Sequence, residues 1–156
     1  MTRRDMKRKP KSWQYENTVT WQGEKRGVLS AADKPDLEVA TPPEFHGHPG
    51  IWTPEDLLVA SVNCCIMTTF LYFAARTDIA VVRYRSEAEG TVEVKPDGLL
   101  FTAVSVRPHV LVASEADREK VQELLERSEK ACLISRSMKA VVALEPCVTV
   151  TDEEVH

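Results

Sequence analysis

Three of the four cysteines in this chain occupy positions from which thiols could react with each other. Cys64 and Cys65 are adjacent within the most apolar stretch of the sequence, and Cys132 follows an amphipathic helical pattern far downstream. A thiolate is a nucleophile, and two thiols that meet can form a reversible disulfide. One thiol in the middle of a helix and another near a helix end are therefore the components of a two-cysteine redox site.

The composition favours one soluble domain. A chain of 156 residues with 43% hydrophobic residues is long enough to enclose one globular core. We expect the basic residues 1–11 to form a disordered tail and residues 12–156 to form a single domain. The tail carries no interleaved aromatic residues, so we do not expect nucleic-acid binding.

The same features indicate a reducing compartment. Residues 1–11 contain no apolar segment typical of a signal peptide, and polar side chains interrupt the apolar stretch at residues 57–75. We therefore predict a cytoplasmic protein with no membrane partner. Because disulfide frameworks are rare in that compartment, the four cysteines are interpreted as free, catalytic or metal-binding thiols.

The first part of the chain predicts a small sheet followed by a loop. Residues 26–30 and 36–40 are typical of two short strands, and together with a preceding strand they indicate an antiparallel meander. That preceding strand is predicted to be half-buried from four aromatic or apolar residues at alternate positions: Trp13, Tyr15, Val19 and Trp21. Residues 41–52 are rich in proline and glycine, which predicts a long loop.

A helix is predicted to begin at Pro54, after Thr53 as the N-terminal cap with Asp56 completing the cap, and to end near Arg76. Its middle is apolar on nearly every face, which predicts a helix buried on all sides. A chain of this size rarely encloses a helix completely. We therefore expect a second copy of the chain to cover one side of it.

The second half predicts a long hairpin. Residues 82–94 alternate between apolar and charged side chains, as a strand with one wet face does. Pro96, Asp97 and Gly98 form a turn into a second strand at residues 100–112.

Another helix and one last strand complete the pattern. Ser114 and Asp117 indicate the start of the helix, and its apolar residues recur at helical spacing. Residues 141–150 predict a single final strand, in which Pro146 marks an edge or an irregularity. The fold class is therefore α+β, with antiparallel sheets and two main helices.

The sequence TPEDLL at residues 53–58, with Cys65 ten residues after Glu55, resembles the signature of the OsmC/Ohr family of organic hydroperoxide reductases. The segment RGVLS at residues 26–30 is similar to its early arginine segment, and CLIS at residues 132–135 to its second-cysteine motif. The resemblance covers most of the chain after the tail.

This resemblance implies an OsmC-like, interwoven homodimer that reduces organic hydroperoxides without a cofactor. It implies Cys65 as the peroxidatic cysteine, Cys132 as the resolving cysteine, and Arg26 and Glu55 as their supporting pair. An external reductant, either a small thiol or a lipoylated protein, would reopen the disulfide. Apolar surroundings would favour alkyl or fatty-acid hydroperoxides over hydrogen peroxide.

The four residue types suit this chemistry, but all four cannot meet at one site within a single subunit. A guanidinium such as Arg26 favours a thiolate and can donate hydrogen bonds to peroxide oxygens, and Glu55 can hold it in place. In a straight helix, however, ten residues separate Glu55 and Cys65 by about 15 Å. Our hypothesis is that Arg26 and Glu55 of one chain serve Cys65 and Cys132 of the other.

The motif differs from the family in two places, and other interpretations are open. Leu133 stands where the family usually has proline, and Arg136 where it has asparagine. Cys64 and Cys147 are interpreted as small core residues. One alternative function is a binding protein that holds an apolar ligand without peroxidase activity. Another is a metal site formed by His46 and His48 with Cys64 or Cys65, although the sequence adds no CxxC pair or second histidine cluster.

Overall fold

The computed structural model describes residues 11–151, and the chain divides after Thr53 into two compact units. Residues 1–10 and 152–156 lie outside the described part, so the predicted tail at residues 1–11 lies almost wholly outside it. Each unit is built around its own β-sheet. The prediction of one domain over residues 12–156 stays a prediction.

The first unit contains the predicted antiparallel meander. Strands β1 (Thr18–Gly23), β2 (Arg26–Ser30) and β3 (Leu37–Ala40) lie in sequential order and pair antiparallel. The turn between β1 and β2 uses Gly23 and Glu24, both at positive φ (105° and 49°). A glycine at this position avoids the steric cost that a side chain would bring to the turn.

The prediction for the first strand was wrong in its extent and its burial. Trp13 and Tyr15 precede β1, and the side chains of Val19 and Trp21 within it stay exposed. Alternation indicates which residues share a face of a strand, but it does not show that anything covers that face. In the predicted loop, a short 3-10 helix at Pro43–Phe45 is the one regular element of residues 41–52.

The second unit begins with helix α1 (Pro54–Ala74), close to the predicted limits. Its buried residues are spaced four apart and form one stripe: Val62, Ile66, Phe70 and Ala74. In a single chain the remaining apolar side chains of the helix are only partly covered or exposed. Burial on all sides, with a second copy of the chain covering one of them, stays a prediction. The helix is long and apolar enough to cross a membrane, yet its buried stripe packs into the core of this unit, as the core helix of a soluble domain does.

A four-stranded sheet forms the rest of this core. Strands β4 (Val81–Lys95) and β5 (Gly98–Val112) make the predicted antiparallel hairpin, with Gly98 at φ 117° after the turn. The predicted alternation of buried and solvent-exposed side chains holds in the middle of β4. Near the turn every residue of the strand is exposed, and its register against β5 shifts twice.

The end of the chain differs from the predicted single strand. Two short strands, β6 (Val141–Leu144) and β7 (Cys147–Val150), both pair parallel to β5, so the sheet is mixed and not antiparallel. Pro146 lies in the break between them. Because proline has no N–H to contribute to a ladder, one continuous strand was disfavoured there.

Two helices connect the hairpin to β6. Helix α2 (Glu115–Ala131) begins as predicted, with the Ser114 hydroxyl oxygen accepting from the Asp117 N–H. A short helix α3 (Leu133–Arg136), which the sequence pattern did not reveal, follows Cys132 directly. One of the two core clusters contains Cys132 together with four aliphatic residues: Val62, Ile66, Val104 and Val106.

Candidate active site

The fold brings the Cys65 and Cys132 side chains into contact. Cys65 lies on α1 and packs against the cluster that contains Cys132, which is fully buried between α2 and α3. The Cys132 thiol acts as a donor toward the Cys65 sulfur and lowers the pKa of Cys65. Both cysteines are free thiols in the structure. Two of the four predicted site residues therefore share one site within the second unit.

The surroundings of Cys65 favour its thiolate. Partial burial raises the pKa of Cys65, but hydrogen bonds to its sulfur outweigh that effect, and the pKa lies below its ordinary value. The donors, from the largest contribution to the smallest, are the Cys132 thiol, the Ile134 N–H, the Thr69 hydroxyl and the Leu133 N–H. Of the two thiols, Cys65 therefore ionises more readily.

The surroundings of Cys132 favour its neutral thiol. Burial raises the pKa of Cys132, and the hydrogen bond that it donates to Cys65 raises it further. Ser135 opposes the shift through its hydroxyl and through its N–H, which donates to Cys132 Sγ at 3.4 Å. The two thiols are thus driven in opposite directions, one toward ionisation and the other toward keeping its proton.

Each thiol has a hydroxyl close to it in sequence. Thr69 Oγ1 lies 4.0 Å from Cys65 Sγ, one turn further along α1. The Ser135 Oγ is buried near Cys132 and lowers its pKa, but in the described chain it makes no close hydrogen bond. Sequence reasoning missed both residues. The spacings i,i+4 in a helix and i,i+3 across a helix start could have indicated them.

A polar contact fixes α1 to the sheet beside the thiols. The Ser86 hydroxyl on β4 donates to Asn63 Oδ1 at 2.6 Å. Close to it, burial raises the pKa of Tyr84, Ser86 opposes that effect, and the neighbouring Cys64 adds to it. Within residues 11–151 the Tyr84 hydroxyl makes no close hydrogen bond, although the Ser86 side chain lies near enough to affect its pKa. Cys64 itself is exposed, so its interpretation as a core residue was wrong for a single chain, and so was that of Cys147.

The other two predicted site residues occupy different surroundings. Glu55 lies in the first turn of α1, where Oε2 is buried and finds no hydrogen-bond partner among the described residues. Arg26 lies in the first unit on β2, and its guanidinium is 3.8 Å from the Glu38 carboxylate, with both side chains about half exposed. That contact is long and solvated, so it constrains Arg26 weakly.

The metal interpretation gains no support from the described residues. His48 lies 3.3 Å from the Glu24 carboxylate, and His46 ends the short 3-10 helix at φ 60°. Within residues 11–151 no group of three or more His, Cys, Asp or Glu side chains is placed to hold a metal ion.

Known proteins resemble this chain in sequence and in fold. The family model described as OsmC-like protein matches residues 47–146. The uncharacterized protein YmaD of Bacillus subtilis is 26% identical over 111 residues, which is 69% of this chain and 73% of that protein.

Two solved structures show the same fold. An OsmC-like protein of unknown function from Vibrio cholerae superposes with a TM-score of 0.80 at 19% identity, covering 87% of this chain and all of that one. The organic hydroperoxide resistance protein OsmC of Legionella pneumophila gives 0.66 at 20% identity, covering 89% of this chain and all of that one. Because the family model spans more than half of the sequence and includes both Cys65 and Cys132, the chain belongs to the OsmC-like protein family.

Proposed function

We propose that this protein is a thiol-dependent peroxidase that reduces organic hydroperoxides. The observation that carries the proposal is the contact between two free thiols of opposite character: Cys65, whose pKa is lowered, and Cys132, whose pKa is raised. The family membership and the fold shared with a protein named for organic hydroperoxide resistance support this choice.

The proposed reaction has two steps. The Cys65 thiolate attacks the O–O bond, takes one oxygen as a sulfenic acid, and releases the alcohol after the leaving alkoxide has gained a proton. The Cys132 thiol then attacks the Cys65 sulfur. A disulfide forms, and the sulfenic hydroxyl leaves as water with the Cys132 proton. An external thiol, small or carried by a lipoylated protein, reduces the disulfide and completes the cycle.

The proposed site is completed by a second copy of the chain. Glu55 cannot reach Cys65 from the same continuous helix, because ten residues of helix span about 15 Å. Its buried oxygen finds no partner among the described residues, and a group of this kind requires a donor. We therefore assign Arg26 and Glu55 of one protomer to the thiols of its partner.

A homodimer also fits the exposed side of α1. Cys64, Leu71 and Tyr72 are exposed on this apolar helix, and a partner would cover such a surface. Alkyl or fatty-acid hydroperoxides suit an apolar site better than hydrogen peroxide. We expect the reaction to take place in the cytoplasm, where reduced thiols are available.

Thiol titration after one equivalent of cumene hydroperoxide tests the proposal. We expect two thiols per chain to be lost rapidly and mass spectrometry to find a Cys65–Cys132 disulfide. Cys65→Ser should abolish turnover with the fold intact, whereas Cys147→Ser, at an exposed thiol on β7, should leave it unchanged. Undiminished turnover in Cys65→Ser would refute the proposal. No thiol loss in the wild type, together with a co-purifying apolar ligand, would favour the binding protein.

A further inference from the structure

The Ser135 hydroxyl is buried beside Cys132 and is only weakly engaged in the reduced protein. Within the described chain its oxygen is inaccessible and makes no close hydrogen bond, although it already opposes the rise in the pKa of Cys132, and the Ser135 N–H donates to Cys132 Sγ at 3.4 Å. A buried hydroxyl without a well-formed hydrogen bond costs free energy. Groups of this kind are often retained because they gain a partner in another state of the site.

Oxidation of Cys65 creates such a state at Cys132. The thiol is fully buried and donates its proton to the Cys65 sulfur as long as Cys65 is a thiolate. Oxidation of Cys65 to a sulfenic acid removes this acceptor charge. Cys132 must then lose its proton and become a nucleophile inside the core, where burial disfavours its thiolate.

We propose that Ser135 is a positioning residue for the resolving step, and that its hydroxyl donates a hydrogen bond to the Cys132 sulfur as that thiol ionises. The Ser135 N–H and hydroxyl then both donate to the Cys132 sulfur. The N–H groups of Leu133 and Ile134 donate to the Cys65 sulfur. The inference rests on the proposed function because it assigns Cys132 the attack on oxidised Cys65.

Neighbouring charges do little to stabilise the Cys132 thiolate. Among the described residues, Cys65 is the titratable group whose charge acts on Cys132, and a Cys65 thiolate opposes its ionisation. Once Cys65 is oxidised that opposition ends, so local hydrogen bonds decide how readily Cys132 ionises. Ser135 supplies both of the hydrogen bonds that favour the Cys132 thiolate. The proton leaves on the hydroxide released from Cys65, so the step is balanced without a further reactant.

Disulfide closure in Ser135 variants tests this role. We expect Ser135→Ala to form the Cys65 sulfenic acid at the wild-type rate but to close the disulfide about tenfold more slowly, since a hydrogen bond to a charged group is lost. The pH at which closure reaches half its maximal rate should rise. Ser135→Thr keeps the hydroxyl and should restore both the rate and the profile.

Two controls separate this role from a structural one. Ser137→Ala removes a hydroxyl that donates to the Leu133 carbonyl at 2.8 Å in the same segment, and it should close the disulfide normally. If Ser135→Ala does not fold, Ser135→Val can be compared with Ser135→Thr, which has nearly the same shape. Equal closure rates and pH profiles with and without the hydroxyl would overturn the proposal.

Diamide gives a second measurement that does not depend on peroxide chemistry. It activates the Cys65 thiolate as an adduct, which Cys132 then displaces to form the same disulfide. Slow closure with diamide in Ser135→Ala supports the assignment of Ser135, and wild-type closure overturns it. A wild-type protein that closes with diamide but not with any organic hydroperoxide would contradict the proposed function alone.

Discussion

The Ser86 hydroxyl donates to Asn63 Oδ1 at 2.6 Å, and this bond joins strand β4 to α1 two residues before Cys65. The Asn63 amide also donates to the Ser86 carbonyl at 3.5 Å. Helix and strand are thereby held at one register beside the thiols. The position of Cys65 against Cys132 therefore rests on this polar contact together with the apolar stripe beneath α1.

Loss of this contact should destabilise the protein. Asn63→Ala leaves a half-buried Ser86 hydroxyl without its acceptor, so we expect the free energy of unfolding to fall by about 1 to 2 kcal/mol. Urea unfolding measures the change. Because the two residues interact directly, the double variant with Ser86→Ala should lose less than the sum of the single variants. Strict additivity would show that the bond contributes nothing to stability.

The Thr69 hydroxyl is expected to set part of the reactivity of Cys65. Thr69→Val keeps the shape and removes a donor to the Cys65 sulfur, so the pKa of Cys65 should rise and its thiolate fraction at neutral pH should fall. Iodoacetamide alkylation over a range of pH measures both. Thr68→Val is the matched control, since the Thr68 hydroxyl donates to the Cys65 carbonyl instead of its thiol. Equal alkylation in both variants would contradict the assignment.

The same variant should change how stability depends on pH. Folding lowers the pKa of Cys65, so this group stabilises the native state above its unfolded pKa, and that contribution is lost as the pH falls through the folded pKa. Thr69→Val reduces the shift. In mildly alkaline solution Thr69→Val should therefore be less stable than the wild type by a larger margin than in acid. In acid Cys65 is neutral in both proteins.

Much of the second unit could be predicted because its signals are local. The Ser114 and Asp117 cap and the Gly98 turn each depend on chemistry within a few residues. Helix α3 and the break at Pro146 were harder to find, because four-residue elements contain too few positions for a period to show.

The candidate site could be predicted only in part. The pairing of Cys65 with Cys132 depended on the resemblance to a family, since periodicity does not bring two distant thiols together. The contributions of Thr69 and Ser135 depend on which atoms the tertiary structure places near each sulfur. Exposure of Trp21 likewise depends on whether another element covers its face of the sheet.

The Tyr84 hydroxyl should be dispensable for folding. Its oxygen is buried and makes no close hydrogen bond in the described chain, while its ring stacks on Phe70 with centroids 5.6 Å apart, a contact that phenylalanine keeps. We expect Tyr84→Phe to be neutral or stabilising near neutral pH. Thermal unfolding measures this, with Tyr72→Phe as the control at an exposed ring. A marked loss of stability would mean that the hydroxyl has a partner after all.

The difference in stability between Tyr84→Phe and the wild type should increase in alkaline solution. Folding raises the pKa of Tyr84, so its contribution is fully present below the unfolded pKa and is lost as the pH rises through the folded pKa. Phenylalanine does not titrate. The stability advantage of Tyr84→Phe should therefore grow above a pH of about 10, and an advantage that shrinks there would contradict the direction of the shift.

Leu133 supplies a backbone donor that a proline at this position would lack. Its N–H lowers the pKa of Cys65, though less than the Thr69 hydroxyl does. Proline is tolerated at the first position of a helix, and Cys132 before it has the extended backbone (φ −61°, ψ 117°) that proline requires. Leu133→Pro should therefore fold, and its Cys65 should be alkylated more slowly than that of the wild type. The decrease should be smaller than in Thr69→Val.

Leu133→Ala is the control for Leu133→Pro. It removes the same exposed side chain but keeps the N–H, so its Cys65 should be alkylated at the wild-type rate. Equal rates in the proline and alanine variants would show that the backbone donor does not act on Cys65.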